Sequence, residues 1–575
     1  MKMKVSDYIA QFLKANGTDV VFEIAGGMIT HLLDSLGQAG GIRVVTVHHE
    51  QAASFAAEAW ARATGRPGVA FATSGPGAIN LLTGIGSCYF DSVPGVFITG
   101  QVNRHEQKGE RAIRQLGFQE TDIVRMAGPV TKAALQIRAG TEVEGALKEA
   151  WRLSMCGRPG PVLLDLPMDV QREEVEFKDF VVPAVERGGS EAGARVFCEK
   201  LSAALAKAER PLIIAGRGVR AAGAGEEFRA LTETLGVPVA MSLLGLDLLP
   251  YQHDLRLGFL GTYGNRWVNM AIGRADLLLV LGSRLDIRQT GADIPGFSAG
   301  KKVFHVDCEQ GELNNRLKDC EVLQGDLKGF FGSAAKAVDA GKAYSAWRTE
   351  LSALKASWPD TAELSGLKGI NPNTFIHQLS AASAQAGVFI ADVGNHQMWA
   401  AQSLELGAGQ LFFTSGGMGS MGYALPAALG ATLGQGGKPC VVIAGDGGFQ
   451  LNLQELQTIR THSLPVKMVV LNNQCLGMIR QFQDSYFESR YQSTVWGYQA
   501  PDFAAVARAY DLPGLTLKTP DEVEAGLAWL WKNPQEPALL QVMIDQSANA
   551  YPKIAFGRPI TEMEPQSKPA EMEGT

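Results

Sequence analysis

None of the seven cysteines in this 575-residue chain stands in a CxxC pair, no long basic run occurs, and no stretch approaches 18 unbroken apolar residues. Each absence removes a class. Without paired cysteines and a downstream histidine pair there is no zinc-finger signal. An odd, scattered set of thiols fits a reducing compartment, so a cytoplasmic location is expected. A formal net charge of −7 argues against nucleic acid as the main partner. No apolar run is long enough to span a bilayer, so no membrane association is expected. The N-terminal MKMKVSDYIAQFLKANG has the lysines of a secretion signal, but Asp7, Gln11 and Lys14 interrupt its apolar run, which reads as an amphipathic helix. No short-period repeat is present. What is abundant is glycine, at 66 residues, beside 46% hydrophobic and 19% charged content. That composition fits a compact folded chain, too long for one core. Glycine-rich strand-to-helix turns are also where diphosphates sit.

Short apolar runs alternate with helical periodicity nearly throughout, the pattern of parallel α/β architecture. A first block, 1–180, carries strands at 20–25, 43–47, 68–73, 95–100 and 161–167. The charged stretch 171–193 reads as a linker. A second block, 190–345, opens with a helix near Ala194 and has strands at 211–216, 238–242, 277–282 and 302–307. A third, 365–550, has strands at 387–394, 410–414, 441–444, 467–471 and 538–545. A polar tail, 551–575, follows, with a tip expected to be mobile. The first and third blocks share a strand–helix rhythm, as two related domains would. The expected fold class is α/β, with three doubly wound parallel-sheet domains.

Two strand ends carry the most chemistry. The strand VVIA runs into Gly445-Asp446-Gly447-Gly448, and KMVVL runs into Asn472-Asn473. Glycine lets the backbone approach an anion closely. Asp446, the Asn473 side-chain carbonyl and the Cys475 backbone carbonyl are hard oxygen donors, a set that suits Mg²⁺ bridged to phosphates. A helix expected from near Leu451 would point its N-terminus at the same place, where a diphosphate is favoured. A GDG alone is a weak signal, and two unrelated strand-end turns would look alike. GDG at this spacing from NN, each after a strand, resembles the thiamine-diphosphate signature of a large enzyme family.

Glu50 closes RVVTVHHE at a C-terminal strand end, where open α/β sheets place ligands. Thiamine diphosphate needs one protein carboxyl beside N1′ of its aminopyrimidine. Protonation there makes the 4′-amino group acidic, and the cofactor then removes its own C2 proton. A buried carboxyl with a raised pKa suffices. The competing reading of Glu50 is a solvated carboxylate at the start of the helix EQAASFAAEAWARA, and His48 and His49 read as packing residues. Met421, in SGGMGSMGYALP, is the bulky apolar group that would hold the bent cofactor. An ordinary core methionine is the alternative, and the flanking glycines favour the first reading.

With these assembled, the chain resembles the catalytic subunits of acetohydroxyacid (acetolactate) synthases from about residue 4 to 548. The resemblance lies in TSGPGAIN (73–80), DSVPGVFITGQV (91–102), GFQETDIV (117–124), GRPGPVLLDLPMDVQ (157–171), GNHQMWAAQ (394–402) and LPVKMVVLNNQCLGM (464–478). It implies a Pyr domain, a central FAD-type domain and a PP domain, with thiamine diphosphate, Mg²⁺ and FAD as cofactors. It also implies a site between the Pyr domain of one subunit and the PP domain of another, hence a homodimer or a tetramer. By the same resemblance Glu50 meets N1′, and Asp446, Asn473 and the Cys475 carbonyl hold the metal. Gly394, Asn395, His396 and Gln397 form the diphosphate clamp, where the family has Gly-Gln-His-Gln. Gly26 and Gly27 lie near the thiazolium, and Met418, Met421, Gly477 and Met478 surround the cofactor. Phe118, Gln119 and Lys132 face the substrate, and Arg288 receives the acceptor's carboxylate. For FAD the implied residues are Gly216, Arg217, Gly218, Leu243, Leu244, Gly282, Arg284, Arg288, Asp307, Gly325 and Asp326. The second block has no GxGxxG, so its residues alone leave a bound dinucleotide open.

Three departures bear on the acceptor. Phe482 stands where the family has Trp, which leaves more room and no indole N–H. No Arg/Lys region is recognisable in 174–193, and FLGTYG (259–264) replaces a Met-His pair. With the tyrosine-rich 481–503 and FGRPITEMEP, they resemble a branch that adds an acetyl unit to nucleotide-linked 4-keto-deoxysugars. The expectation is a carboligase that decarboxylates pyruvate and adds the two-carbon unit to a ketone, a bulky one being favoured. The alternatives are acetolactate synthase proper, with a second pyruvate as acceptor, a simple 2-keto acid decarboxylase, and a non-catalytic paralogue. Arg288, and GFQE in place of a tandem histidine pair, argue against the decarboxylase. Glu50, Asp446 and Asn473 argue against the paralogue.

Overall fold

The computed structural model describes residues 1–183, 191–339 and 342–570. Its apolar runs form three six-stranded sheets in which every pairing is parallel. Across the first sheet the strands are Arg43–Thr46, Val20–Glu23, Gly68–Ala72, Gly95–Gln101, Pro161–Pro167 and Ala133–Gln136. Across the third they are Leu411–Phe413, Val388–Ala391, Cys440–Gly445, Val466–Asn472, Ala538–Met543 and Gly514–Leu517. Counted in chain order, both have the order 2-1-3-4-6-5, so the shared rhythm is a shared topology. The central sheet runs Arg256–Phe259, Val239–Met241, Pro211–Ala215, Leu277–Leu281, Lys302–Asp307 and Glu321–Gln324, the order 3-2-1-4-5-6 of dinucleotide-binding sheets.

In such sheets ligands sit beyond the C-terminal strand ends where the order reverses. Gly26 and Thr73 follow the two strands at that point in the first sheet, Gly216 and Gly282 in the central one, and Gly394 and Asp446 in the third. The first and third sheets are joined through the Glu50–Thr64 and Ala424–Gly434 helices, whose small residues let the backbones touch. A Cβ on Gly430 would lie 1.8 Å from the Ala56 carbonyl oxygen. One apolar core accordingly runs from Phe22 and Phe97 through Phe55, Trp60 and Tyr423 to Val442 and Val470.

Two expectations need correction, the linker and the helix at Leu451, and the tail adds structure of its own. Part of the linker is structure: Glu174–Glu176 pairs antiparallel with Lys2–Lys4, while 184–190 lies outside the described residues. The tail is part of the fold up to residue 570. Lys553–Ile554 pairs with Met563–Glu564, the Ile554 N–H donates to the Thr262 carbonyl at 2.7 Å, and Arg266 donates to the Met563 and Glu564 carbonyls. The tip expected to be mobile, 571–575, lies outside the described residues. The helix after GDG begins at Asp446 itself (Asp446–Gln450), and the next begins at Glu455, so none starts at Leu451. Among the described residues no helix is long and apolar enough to cross a membrane.

Candidate active site

At the C-terminal end of the third sheet the chain folds around a hollow that admits no side chains. A Cβ on Gly445 would lie 2.7 Å from His396 Nδ1, one on Gly394 2.8 Å from His396 Cε1, and one on Gly477 2.8 Å from Asn395 Nδ2. Gly394 has φ 155°, which a side chain would strain. The helices Asn395–Ser403 and Gly477–Tyr486 both begin at this hollow, so their free N–H groups make it favourable for an anion. Asn395 Oδ1, His396 Nε2 and Asp446 Oδ2 are buried and have no protein partner. Burial lowers the His396 pKa to about 3, so its ring is neutral. Buried polar atoms without partners are costly, and a phosphate–cation ligand is what would satisfy this set. Met421 lies over the hollow, with its Cε 3.3 Å from where a Gly447 Cβ would be.

The Asn473 amide reaches to 2.8 Å from the Cys475 carbonyl oxygen and 3.3 Å from Asp446 Oδ1. With its NH₂ turned inward this would be an ordinary hydrogen-bonded corner. With its oxygen turned inward instead, an amide, a peptide and a carboxylate oxygen would face one another. Such oxygens repel unless a cation lies among them, and all three are hard donors of the Mg²⁺ type. Among the described residues no three His, Cys, Asp or Glu side chains cluster as a metal site, as expected when one carboxylate works with an amide and a peptide carbonyl. Burial pushes the Asp446 carboxyl up to about 7, against the Gly447 N–H and the Tyr498 hydroxyl.

The end of the first sheet gathers a second group. Glu50 opens its helix, whose N-cap is His49, the Nδ1 of which accepts from Gln51 N–H. The Glu50 carboxylate accepts from Asn80 Nδ2 at 2.9 Å and lies 3.0 Å from the Cβ position of Gly77. It is half-buried in the chain, not buried as expected. Gly26 is crowded by Thr73, 2.5 Å from its Cβ position, whereas Gly27 is open. Gln119 adopts φ 67° and packs on Gly75. Its loop is braced by Gln101, which donates to Thr121 O and to Asp165, a carboxyl raised by burial to about 6.

At the switch point of the central sheet lies a cavity of about 950 Å³, a size that suits a cofactor. Gly216, Arg217, Gly218, Leu243, Leu244, Gly282, Arg284, Arg288, Asp307, Gly325 and Asp326 all line it. Its other walls come from elsewhere in the chain: Phe90, Asp91, Arg158, Met398, Gly416 and Gly417. Gly216 and Gly282 touch, the Cβ position of one lying 2.3 Å from the other's carbonyl oxygen. The order of the sheet, the glycine turns and the arginines fit a dinucleotide.

Several expected site residues are placed otherwise. Phe118 is 81% exposed and so forms no pocket wall within the chain. Lys132 does not face substrate: its Nζ donates to the Cys156 and Arg158 carbonyls, and burial lowers its pKa. Gln397 donates its amide to Thr414 Oγ1 and Ser415 O, so its NH₂ braces the strand end that leads into Met418. Met418 points at the first block, its Sδ 2.8 Å from the Cβ position of Gly86, and Met478 packs on the core beneath the cradle. Three residues went unnoticed in the sequence. Asp392, fully buried and with its carboxyl raised by burial, accepts from the Gly422 and Ala424 N–H groups and so fixes the Met421 turn. Asn80 holds Glu50, and Tyr498 sits beside Asp446. The signal for Asp392 was its place at a strand end just before Gly394; the other two sit in motifs that were quoted without a role for them.

Known proteins agree with this geometry. Residues 3–126 match the N-terminal TPP binding domain of thiamine pyrophosphate enzymes, 198–333 their central domain and 392–542 their C-terminal TPP binding domain. The chain is 35% identical to the acetolactate synthase large subunit of Lactococcus lactis, over 97% of this chain and 95% of that one. It is 35% identical to the acetolactate synthase isozyme 2 large subunit of Escherichia coli, over 98% and 99%. Likeness of this extent, on top of a glycine cradle, converging oxygens and three matched domains, means that the chain belongs to the thiamine-diphosphate-dependent acetolactate synthase catalytic-subunit family.

Proposed function

We propose that the protein decarboxylates pyruvate and joins the resulting two-carbon unit to a ketone, with thiamine diphosphate and Mg²⁺ at the end of the third sheet and FAD in the central cavity. The observation that carries this is the meeting of Asp446, the Asn473 amide and the Cys475 carbonyl, with Asn395 Oδ1, His396 Nε2 and Asp446 Oδ2 buried and unpartnered, below two helix N-termini. Thiamine diphosphate, when bound, supplies the electron sink that makes an acyl-anion equivalent from a 2-keto acid. The chain's residues do the rest. Asp446, Asn473 and the Cys475 carbonyl hold the cation, and through it the diphosphate; Gly394, Asn395 and His396 shape the cradle. Met421 fills the space over Gly447. Glu50, steadied by Asn80, holds a proton at the pyrimidine N1′. Arg288, exposed at the cavity mouth, is the group for an acceptor carboxylate. The division into units at 1–180, 190–345 and 365–550, with the tail 551–575 docked on the second, is part of the same reading.

The Glu50 carboxylate meets first-block groups, Asn80 and Gly77, and the metal oxygens belong to the third block. Phe118, Met418, Leu451, Ile479 and Phe482 are large apolar side chains left exposed. A second copy that covers them and supplies the missing half of each site accounts for both facts.

Two acceptors are weighed. The name of the relatives favours a second pyruvate, giving acetolactate. Phe482 favours a bulkier ketone such as a nucleotide-linked 4-keto-deoxysugar: it is 45% exposed and stands 4.6 Å from Tyr486 and 5.9 Å from Phe487, an open aromatic wall. Labelled pyruvate, with and without candidate ketones, decides between them. Rapid acetolactate from pyruvate alone removes the bulky acceptor, and no release of CO₂ under any condition removes the function.

A further inference from the structure

The loop carrying Met418 and Met421 is suspended from two buried carboxylates. Asp392 holds its far end through Gly422 and Ala424. Asp91 holds its near end, accepting from the Gly416 N–H at 2.9 Å and the Gly417 N–H at 2.6 Å. Asp91 is 2% exposed, and its Oδ2 also accepts from Arg62 Nη2 at 2.7 Å; Arg62 is paired in turn with the buried Glu58. The fit is close. A Cβ on Gly417 would lie 3.0 Å from Asp91 Oδ1, and one on Gly416 would lie 2.9 Å from Leu244 Cγ. Inside the loop, Ser415 Oγ accepts from the Ser420 N–H at 3.1 Å, which ties its start to the residue before Met421.

Asp91 also faces the central cavity. Its backbone carbonyl accepts from Arg217 Nε at 2.5 Å. Arg217 and Leu244 line the cavity, and Asp91, Gly416 and Gly417 are part of its wall. Whatever fills the cavity therefore bears on the two side chains that fix Asp91 and Gly416. A short, hydrogen-bonded path leads from there to Met421, over the cradle of the third sheet.

We propose that Asp91 is a positioning residue that couples occupancy of the central cavity to the binding of thiamine diphosphate. It rests on the proposed reading of the two sites. A dinucleotide in the cavity fixes Arg217 and Leu244, these fix Asp91 and the Gly416–Gly417 turn, and Met421 is thereby set against the coenzyme. Such coupling is reciprocal, so thiamine diphosphate tightens the dinucleotide by the same factor.

The test is calorimetric titration of the full-length protein with thiamine diphosphate and Mg²⁺, with and without saturating FAD. The wild type is expected to bind thiamine diphosphate at least about fivefold tighter with FAD present, the lower end of ordinary coupling between sites. Asp91→Asn replaces one of the two oxygens that accept from the Gly416 and Gly417 N–H groups with an NH₂ that cannot accept. Arg217→Gln leaves the Arg62–Asp91 pair in place and cuts only the cavity side. Arg217 lines the cavity itself, so FAD is titrated into each variant first and then held at a concentration that saturates it; with FAD shown bound, each variant is expected to bring the ratio to about one. A residue that merely held the fold would weaken both measurements alike and leave their ratio alone. A wild-type ratio of one, or an unchanged ratio in Asp91→Asn, overturns the proposal. If Asp91→Asn does not fold, Arg217→Gln decides alone. Failure of the wild type to bind either ligand would sink the proposed function with it; binding of both without coupling would sink only this inference.

Discussion

Surroundings decide what each carboxylate here can do. Glu50 stands at the mouth of its helix, half-buried, with Asn80 as its side-chain partner. Glu50→Gln is expected to lower CO₂ release from pyruvate by about 10²–10⁴-fold, the usual worth of a positioned acid, while thiamine diphosphate still binds. Retained turnover would contradict the role. His377 shows the opposite case, a charge locked into structure. Its Nδ1 is 2.7 Å from Glu405 and its Nε2 2.9 Å from Asp360. Burial lowers its pKa, but the two carboxylates outweigh burial and raise it. A raised folded pKa means a stabilisation that is full below the unfolded value near 6.5 and is lost as pH rises through the folded one. His377→Gln is therefore expected to flatten the fall of Tm with pH in that window, measured by thermal unfolding; an unaltered slope would contradict it. At this scale Asp446 and Asn473 were legible as candidates because each directly follows a buried apolar strand, and Glu50 because it opens the helix just after another strand. Asp91 and Asp392 were not, because they bond to backbone N–H groups in a distant loop, and no residue type marks such a partner.

Elements were legible where an apolar run was long. The strands at 68–72, 95–101, 161–167 and 466–472 are buried throughout and read directly. Within the six-stranded sheets, the strands not read, 133–136, 256–259, 321–324 and 514–517, are all sheet edges, paired on one side only. The polar composition of the tail hides a buried ion pair, Lys553 with Glu564 at 3.0 Å. Between the outer sheets, Gly430 is where two helices touch backbone to backbone. Gly430→Val is expected to destabilise the protein by about 3 kcal/mol or more, since overpacking a rigid contact has few ways to relax. An unchanged denaturant midpoint would show that the two helices can part.

The whole molecule repeats one idea three times: a parallel sheet whose strand order reverses, with glycine at the reversal. The repeat was visible as rhythm in the sequence, but the cavity wall drawn from three blocks and the exposed apolar faces were not, since both depend on how the sheets pack. If each site takes Glu50 from one chain and Asp446 from another, two dead variants can repair each other. Glu50→Gln mixed with Asp446→Asn, after dissociation and reassembly, is expected to regain about a quarter of wild-type carboligation, because half the dimers are mixed and each of these has one intact site. No recovery would place both groups in one chain's site. Beneath every one of these expectations lies the oxygen-lined, glycine-walled hollow of the third sheet. Its direct measurement is titration calorimetry of the wild-type protein with thiamine diphosphate. Saturable uptake that needs Mg²⁺ and is lost in Asp446→Ala is the predicted result; no uptake, or uptake indifferent to both the metal and Asp446, would contradict it.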